Sequence, residues 1–137
     1  MTHAARRAPM RLVLVLLAAS TVLCASLALA ASVLEFDRWM RAIDRNSVAV
    51  QKNLARRDGD ATKANAQQLE QLYSQMEEYF ASDGHSPDAV QISRDGKEQA
   101  AAVLSAIDAS DFDTATDAAL RIARACNDCH DAYKPFK

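Results

Sequence analysis

The feature that most restricts this chain is a seam in its first third. Phe36, Met40, Ile43, Ser47, Val50 and Leu54 follow one another at spacings of 4, 3, 4, 3 and 4. Only an α-helix returns such positions to one face, and this alternation of threes and fours is the pattern of a helix packed along a partner helix. It predicts a helix over about 32–57. Three more stripes follow. Leu69, Leu72, Tyr73, Met76 and Phe80 predict a helix over about 61–81. Ala89, Ser93, Gly96, Ala100, Val103 and Ile107 share a face of a third. Ala115, Ala118, Ala119, Ile122, Cys126, Cys129, His130 and Tyr133 share a face of a fourth. Only three Gly and three Pro stand in 137 residues, so little interrupts the helices.

The punctuation agrees. Asp58-Gly59 marks a turn and Asp60 a cap for the second helix; Ser82-Asp83-Gly84 ends that helix with Gly84 as a left-handed cap. Ser86 is expected to cap the third helix, with Pro87 in its first position. Asp111 or Asp113 starts the fourth, and Pro135 stops it. Helices of 20–25 residues would be about 30–38 Å long. Connections this short force neighbours to run antiparallel. The expected fold is therefore all-α, an antiparallel up-down-up-down four-helix bundle in one domain. Its third and fourth helices are rich in Ala and bury little area per residue, which invites a large apolar cofactor to complete the core. Gly96 and Ala100 leave room beside the third helix either for something bulky or for close helix contact.

Residues 1–30 have another character. Arg6, Arg7 and Arg11 precede an uncharged apolar block, Leu12 to Leu29, and Ala28-Leu29-Ala30 is an A-x-A cleavage pattern. The expectation is an export signal cut after Ala30, leaving residues 31–137 in the periplasm. The rival is an uncleaved anchor, since residues 12–30 are long enough to span a bilayer. Cleavage removes three of 16 basic residues and none of the 18 acidic ones, so 13 basic residues face 18 acidic ones and the net charge is −5. No basic patch with interleaved aromatics is present, which argues against a nucleic-acid partner.

Cleavage also removes Cys24 and leaves two cysteines, in Cys126-Asn127-Asp128-Cys129-His130. C-x-x-C-H is the attachment pattern for c-type haem. Two thiols add to the two vinyl groups of the macrocycle, and the adjacent imidazole reaches the iron as proximal ligand. On a helix these positions are i, i+3 and i+4, hence on one face. The expectation is one covalent haem c, held by Cys126 and Cys129 with His130 on the iron. A thioredoxin-like dithiol wants its first Cys at a helix N-terminus, and here the motif stands near a C-terminus. A structural zinc site would need a fourth ligand from His85. A haem-free helical protein with a Cys126–Cys129 disulfide is a further alternative.

With these residues in place, the chain resembles the cytochrome c′ and cytochrome c-556 family, the class II c-type cytochromes. The run Cys-Asn-Asp-Cys-His-Asp-Ala-Tyr-Lys, residues 126–134, is similar to that family's ending, where a basic residue follows the His after an aromatic. The resemblance extends over the chain after Ala30, and its specific part is this run. It implies an electron carrier rather than an enzyme. Low-spin members take a sixth ligand from a Met of the first helix, which makes Met40 the candidate and Met76 a weaker rival. High-spin members leave that site open and bind nitric oxide, the alternative function. Trp39, Phe36, Tyr73 and Tyr133 would then pack on the haem, and Arg41, Arg124 and Lys134 would meet its propionates through charge-assisted bonds. The partner would be a redox protein with a basic face, and pairing of two copies through the first two helices, as in the family, is compatible with the pattern.

The expectation for the N-terminus is checked by mass: the exported protein should begin at Ala31. A chain that keeps residues 12–30 and sediments with membranes would make this segment an anchor.

Overall fold

Each run of helical periodicity becomes a helix. The computed structural model describes residues 34–84 and 86–133. The chain divides into two units, Met1–Asp37 and Arg38–Lys137. In the first, residues 34–37 are described and helical; the expected signal, residues 1–30, lies outside the described residues. The second unit holds the bundle. Its α1 belongs to the helical stretch 34–55, from Arg38 onward, and is followed by α2 (Gly59–Asp83), α3 (Pro87–Asp108) and α4 (Phe112–Tyr133). The fold is an all-α four-helix bundle with no strand among the described residues. Nor is any helix among them long and apolar enough to cross a membrane.

Contacts between neighbours fix the directions. Asn53 of α1 donates to Asn65 of α2 at 3.0 Å, and Trp39 of α1 meets Tyr79 of α2. Lys63 of α2 pairs with Asp108 at one end of α3, and Glu77 of α2 takes Lys97 at 2.6 Å and Arg94 at 3.1 Å nearer the other. Arg121 of α4 donates to Gln99 of α3 at 2.7 Å. Each pair is antiparallel.

The turns are closed by backbone chemistry. Arg57 takes a left-handed conformation (φ 55°), and the Arg57 and Asp58 amides donate back to Leu54 and Asn53, each at 2.9 Å. That reversal brings the Asp58 carboxylate to the Ala61 amide at 3.0 Å. The cap is therefore Asp58 and not Asp60, and α2 starts earlier than the expected residue 61. Gly84 ends α2 with φ 69°, as expected. Pro87 opens α3, but the Ser86 side chain makes no capping bond; the fixed φ of Pro87 and its lack of an N–H already suit the first helical position. Ser110 (φ 58°) repeats the left-handed reversal after α3, and Asp111 caps α4 through the Thr114 amide at 3.0 Å and hydroxyl at 2.7 Å.

The core follows the stripes. All six expected positions of α3 are buried, from Ala89 to Ile107. Ile43, Val50 and Leu54 of α1 and Leu69, Tyr73 and Met76 of α2 are buried, and α4 adds Ala115, Ala118, Ala119 and Ile122. The buried hydroxyls of Thr62 and Ser93 donate to carbonyls four residues back, at 2.6 and 2.7 Å. One polar feature escaped the pattern. Asn53 donates to Asn65, Asn65 to Asn46 at 2.9 Å, and Asn46 to the Ala42 carbonyl at 2.8 Å. This ladder of amides ties two turns of α1 to a single residue of α2.

Two substitutions should move stability in opposite directions in urea denaturation. Ile122→Ala, at a site 1% exposed, should cost about 3 kcal/mol through a cavity. Ser110→Gly should gain about 1 kcal/mol, because glycine carries no penalty in the left-handed region. A loss from Ser110→Gly would show that the α3–α4 reversal is not the left-handed turn described.

Candidate functional site

Cys126, Cys129 and His130 lie in the last turns of α4, at the end of the bundle where α2 finishes and α3 begins. Between the four helices a cleft opens. Met40 and Ile43 of α1, Tyr73 and Met76 of α2, Ile92 of α3, and Ala125, Cys126, Cys129 and His130 of α4 line it. It is narrow: the room inside is about 20 Å³, enough for one water molecule. The three motif residues share this lining although their burial differs: Cys129 is buried, Cys126 half-buried and His130 exposed at the rim. Met76 is buried and Met40 half-buried. Two thiols, an imidazole and two thioethers thus border one apolar space, where the thiols can form covalent bonds to carbon.

Tyr73 crosses that space. Its ring lies against the backbone of α3 at Gly96: a β-carbon there would come within 2.5–2.7 Å of three ring carbons. The room left by Gly96 is thus taken by a side chain from the next helix. Beyond the ring, the Tyr73 hydroxyl is hydrogen-bonded to Cys126 Sγ at 3.5 Å. Burial, and then the nearby Cys126, push the Tyr73 pKa far above its ordinary value, so the hydroxyl stays neutral. Burial also raises the Cys126 thiol pKa, with the Tyr73 hydrogen bond opposing and the Asp44 charge adding. Cys129 is raised by burial and by Cys126. Both are free thiols, without the depressed pKa of a reactive dithiol.

The other candidates scatter. Trp39 does not line the cleft; its ring stands edge-on to Tyr79, 6.3 Å between centroids. Arg41 and Arg124 are exposed and do not line it either. Tyr133 is the last residue of α4, but its side chain, Lys134, Pro135 and His85 lie outside the described residues. Phe36 belongs to the first unit. Among the described residues no group of three or more His, Cys, Asp and Glu is placed to hold a metal ion; His85, the fourth ligand a zinc site would need, lies outside them. Ile92 and Ala125 were not singled out in the sequence. Ile92 stands three residues after Ala89 and four before Gly96, so helical spacing already sets it beside the α3 stripe.

Gly96→Ala tests the seat of Tyr73. Alanine ordinarily stabilises a helix interior by roughly 0.5–1 kcal/mol over glycine. Here it should instead cost about 1–3 kcal/mol by overpacking, read as a lower urea midpoint. A gain would mean that the Tyr73 ring does not lie on α3.

No family model, curated protein or solved structure matches the chain.

Proposed function

We propose that this protein is an exported c-type cytochrome that carries single electrons on one covalently bound haem. The observation that supports it best is the common lining of one apolar cleft by Cys126, Cys129 and His130 of α4 with Met40 of α1. The residues fit the group in kind: two thiols and an imidazole at i, i+3 and i+4, and a thioether from another helix. Cys126 and Cys129 would hold it by thioether bonds. Each thiol adds across a vinyl double bond, so that an S–H and a π bond are replaced by C–S and C–H with no net oxidation. His130 would give its imidazole to the iron, and Met40 is the candidate for a second ligand, through its thioether. When bound, haem supplies one-electron redox chemistry, and Met/His ligation raises its potential. Ile43, Ile92 and Met76 keep the space apolar and restrict water. Arg41, Arg124 and Lys134 remain candidates for the propionates, and Trp39 and Tyr133 for packing.

The rest of the reading comes from sequence. The signal-like residues 1–30 support a periplasmic site of action. A net charge of −5 after cleavage suits a redox partner with a basic face, met in a weak and transient encounter.

The absorption spectrum of protein matured in a host with c-type haem assembly tests this. Haem that survives denaturing electrophoresis, with a low-spin spectrum indifferent to carbon monoxide, is expected, together with a high-spin, carbon-monoxide-sensitive spectrum in Met40→Ala. If Met76→Ala makes the switch instead, the ligand is Met76. A high-spin wild type would make the protein a five-coordinate nitric oxide binder, and absence of haem would sink the cytochrome reading.

A further inference from the structure

A glycine in the middle of a helix weakens it, and Gly96 stands in the middle of α3. What occupies the space it leaves is the ring of Tyr73, 3% exposed. Leucine or phenylalanine would fill this apolar gap at no polar cost. A buried tyrosine hydroxyl has to find a partner, and the partner here is the sulfur of Cys126. Two weak choices, a mid-helix glycine and a buried hydroxyl, therefore serve one contact, made to one of the two thiols and not to the other.

That thiol has a competing fate. Cys126 and Cys129 are three apart on a helix, so their side chains are neighbours, and in an oxidising compartment such a pair tends to close into a disulfide. A thiol sulfur donates weakly through S–H and accepts weakly; a disulfide sulfur has no proton to donate. Turning Cys126 toward Cys129 would also draw it away from the Tyr73 hydroxyl. The contact thus stabilises the dithiol and has less to offer the disulfide.

We infer that Tyr73, seated on Gly96, is a positioning residue that holds Cys126 as a free thiol facing the cleft and opposes its pairing with Cys129. The inference rests on the proposed haem attachment for its purpose, since a disulfide has no thiol left to form a thioether, but not for its test.

The test uses the chain expressed without c-type haem assembly and equilibrated with glutathione and glutathione disulfide. Two protein thiols and one glutathione disulfide give the Cys126–Cys129 disulfide and two glutathiones; two electrons and two protons pass to the glutathione sulfurs. The disulfide fraction is read by mass after alkylation. Tyr73→Phe keeps the ring and removes only the hydroxyl, so loss of one hydrogen bond should raise the equilibrium constant for disulfide formation about fivefold. Tyr79→Phe, at a ring that packs on Trp39 and Phe80, should leave it unchanged. A Tyr73→Phe chain with wild-type circular dichroism and an equilibrium constant within twofold of wild type overturns the inference. If Tyr73→Phe loses its helical signal, Gly96→Ala, which keeps the hydroxyl and displaces the ring, takes its place, with a rise expected and an unchanged constant equally fatal. Haem staining of the matured wild type tests the cytochrome reading separately, so that either can fail alone.

Discussion

The contact on which the site end of the bundle depends is the Tyr73 ring against the backbone of α3 at Gly96. A four-helix bundle has a diagonal, and at this level one side chain crosses it. Tyr73 starts on α2, touches α3 where no side chain intervenes, and ends on Cys126 of α4. That places a rigid ring where three helices would otherwise need several smaller side chains. It also accounts for the division of α4. Toward its start Ala115, Ala118 and Ala119 are almost completely buried, as small residues that let helices come close. Past Ile122 the helix presents Cys126 and Cys129 to a space that Tyr73 only partly fills, and the cleft opens there.

The opposite end is held differently. There the reversals at Arg57 and Ser110 each return amides to the preceding helix, and the aspartates that follow, Asp58 and Asp111, cap the next one. Phe112 lies beneath the Arg57 guanidinium, 5.3 Å from ring centroid to charge. Between the two ends the Asn46–Asn65–Asn53 ladder sets how far α1 can slide along α2. An apolar seam alone tolerates a shift by whole turns, whereas amides that bond one another have a single register in which all are satisfied. Met40 lies about one and a half turns from Asn46, so the register of α1 decides whether its thioether reaches the cleft.

Much of this was legible in the sequence because burial in helices follows period. The α3 stripe, including Ser93 and Gly96, is buried at every expected position, and Gly84 and Pro87 act where their backbone preferences put them. Caps were less legible. Whether Asp58 or Asp60 serves depends on the left-handed turn at Arg57, an arginine that nothing local marks for positive φ. Ser86 has the right side chain and makes no capping bond. The site divides in the same way. Cys126, Cys129, His130 and Met40 could be placed on their faces from spacing, but the Tyr73–Cys126 contact joins residues 53 positions apart across a diagonal, which no periodicity encodes. Trp39 was equally beyond the reach of periodicity: its ring meets Tyr79, 6.3 Å between centroids, because α2 offers an aromatic at that level.

The meeting of Met40 with the motif follows from topology more than from any special contact. In a bundle with an even number of antiparallel helices, the beginning of the first lies beside the end of the last. A thioether near the start of α1 and the C-x-x-C-H run near the end of α4 are therefore neighbours although Met40 and Cys126 stand far apart in the chain. Position within α4 then separates the chemistries open to the two thiols. At a helix N-terminus the unpaired amides favour thiolate, and a C-x-x-C pair becomes a redox dithiol. At the C-terminus the exposed carbonyls oppose thiolate, and here burial opposes it further. What remains for these sulfurs is to stay neutral within the cleft, one of them against a tyrosine hydroxyl, beside an imidazole and two thioethers. That environment disfavours thiol exchange, whose attacking species is the thiolate.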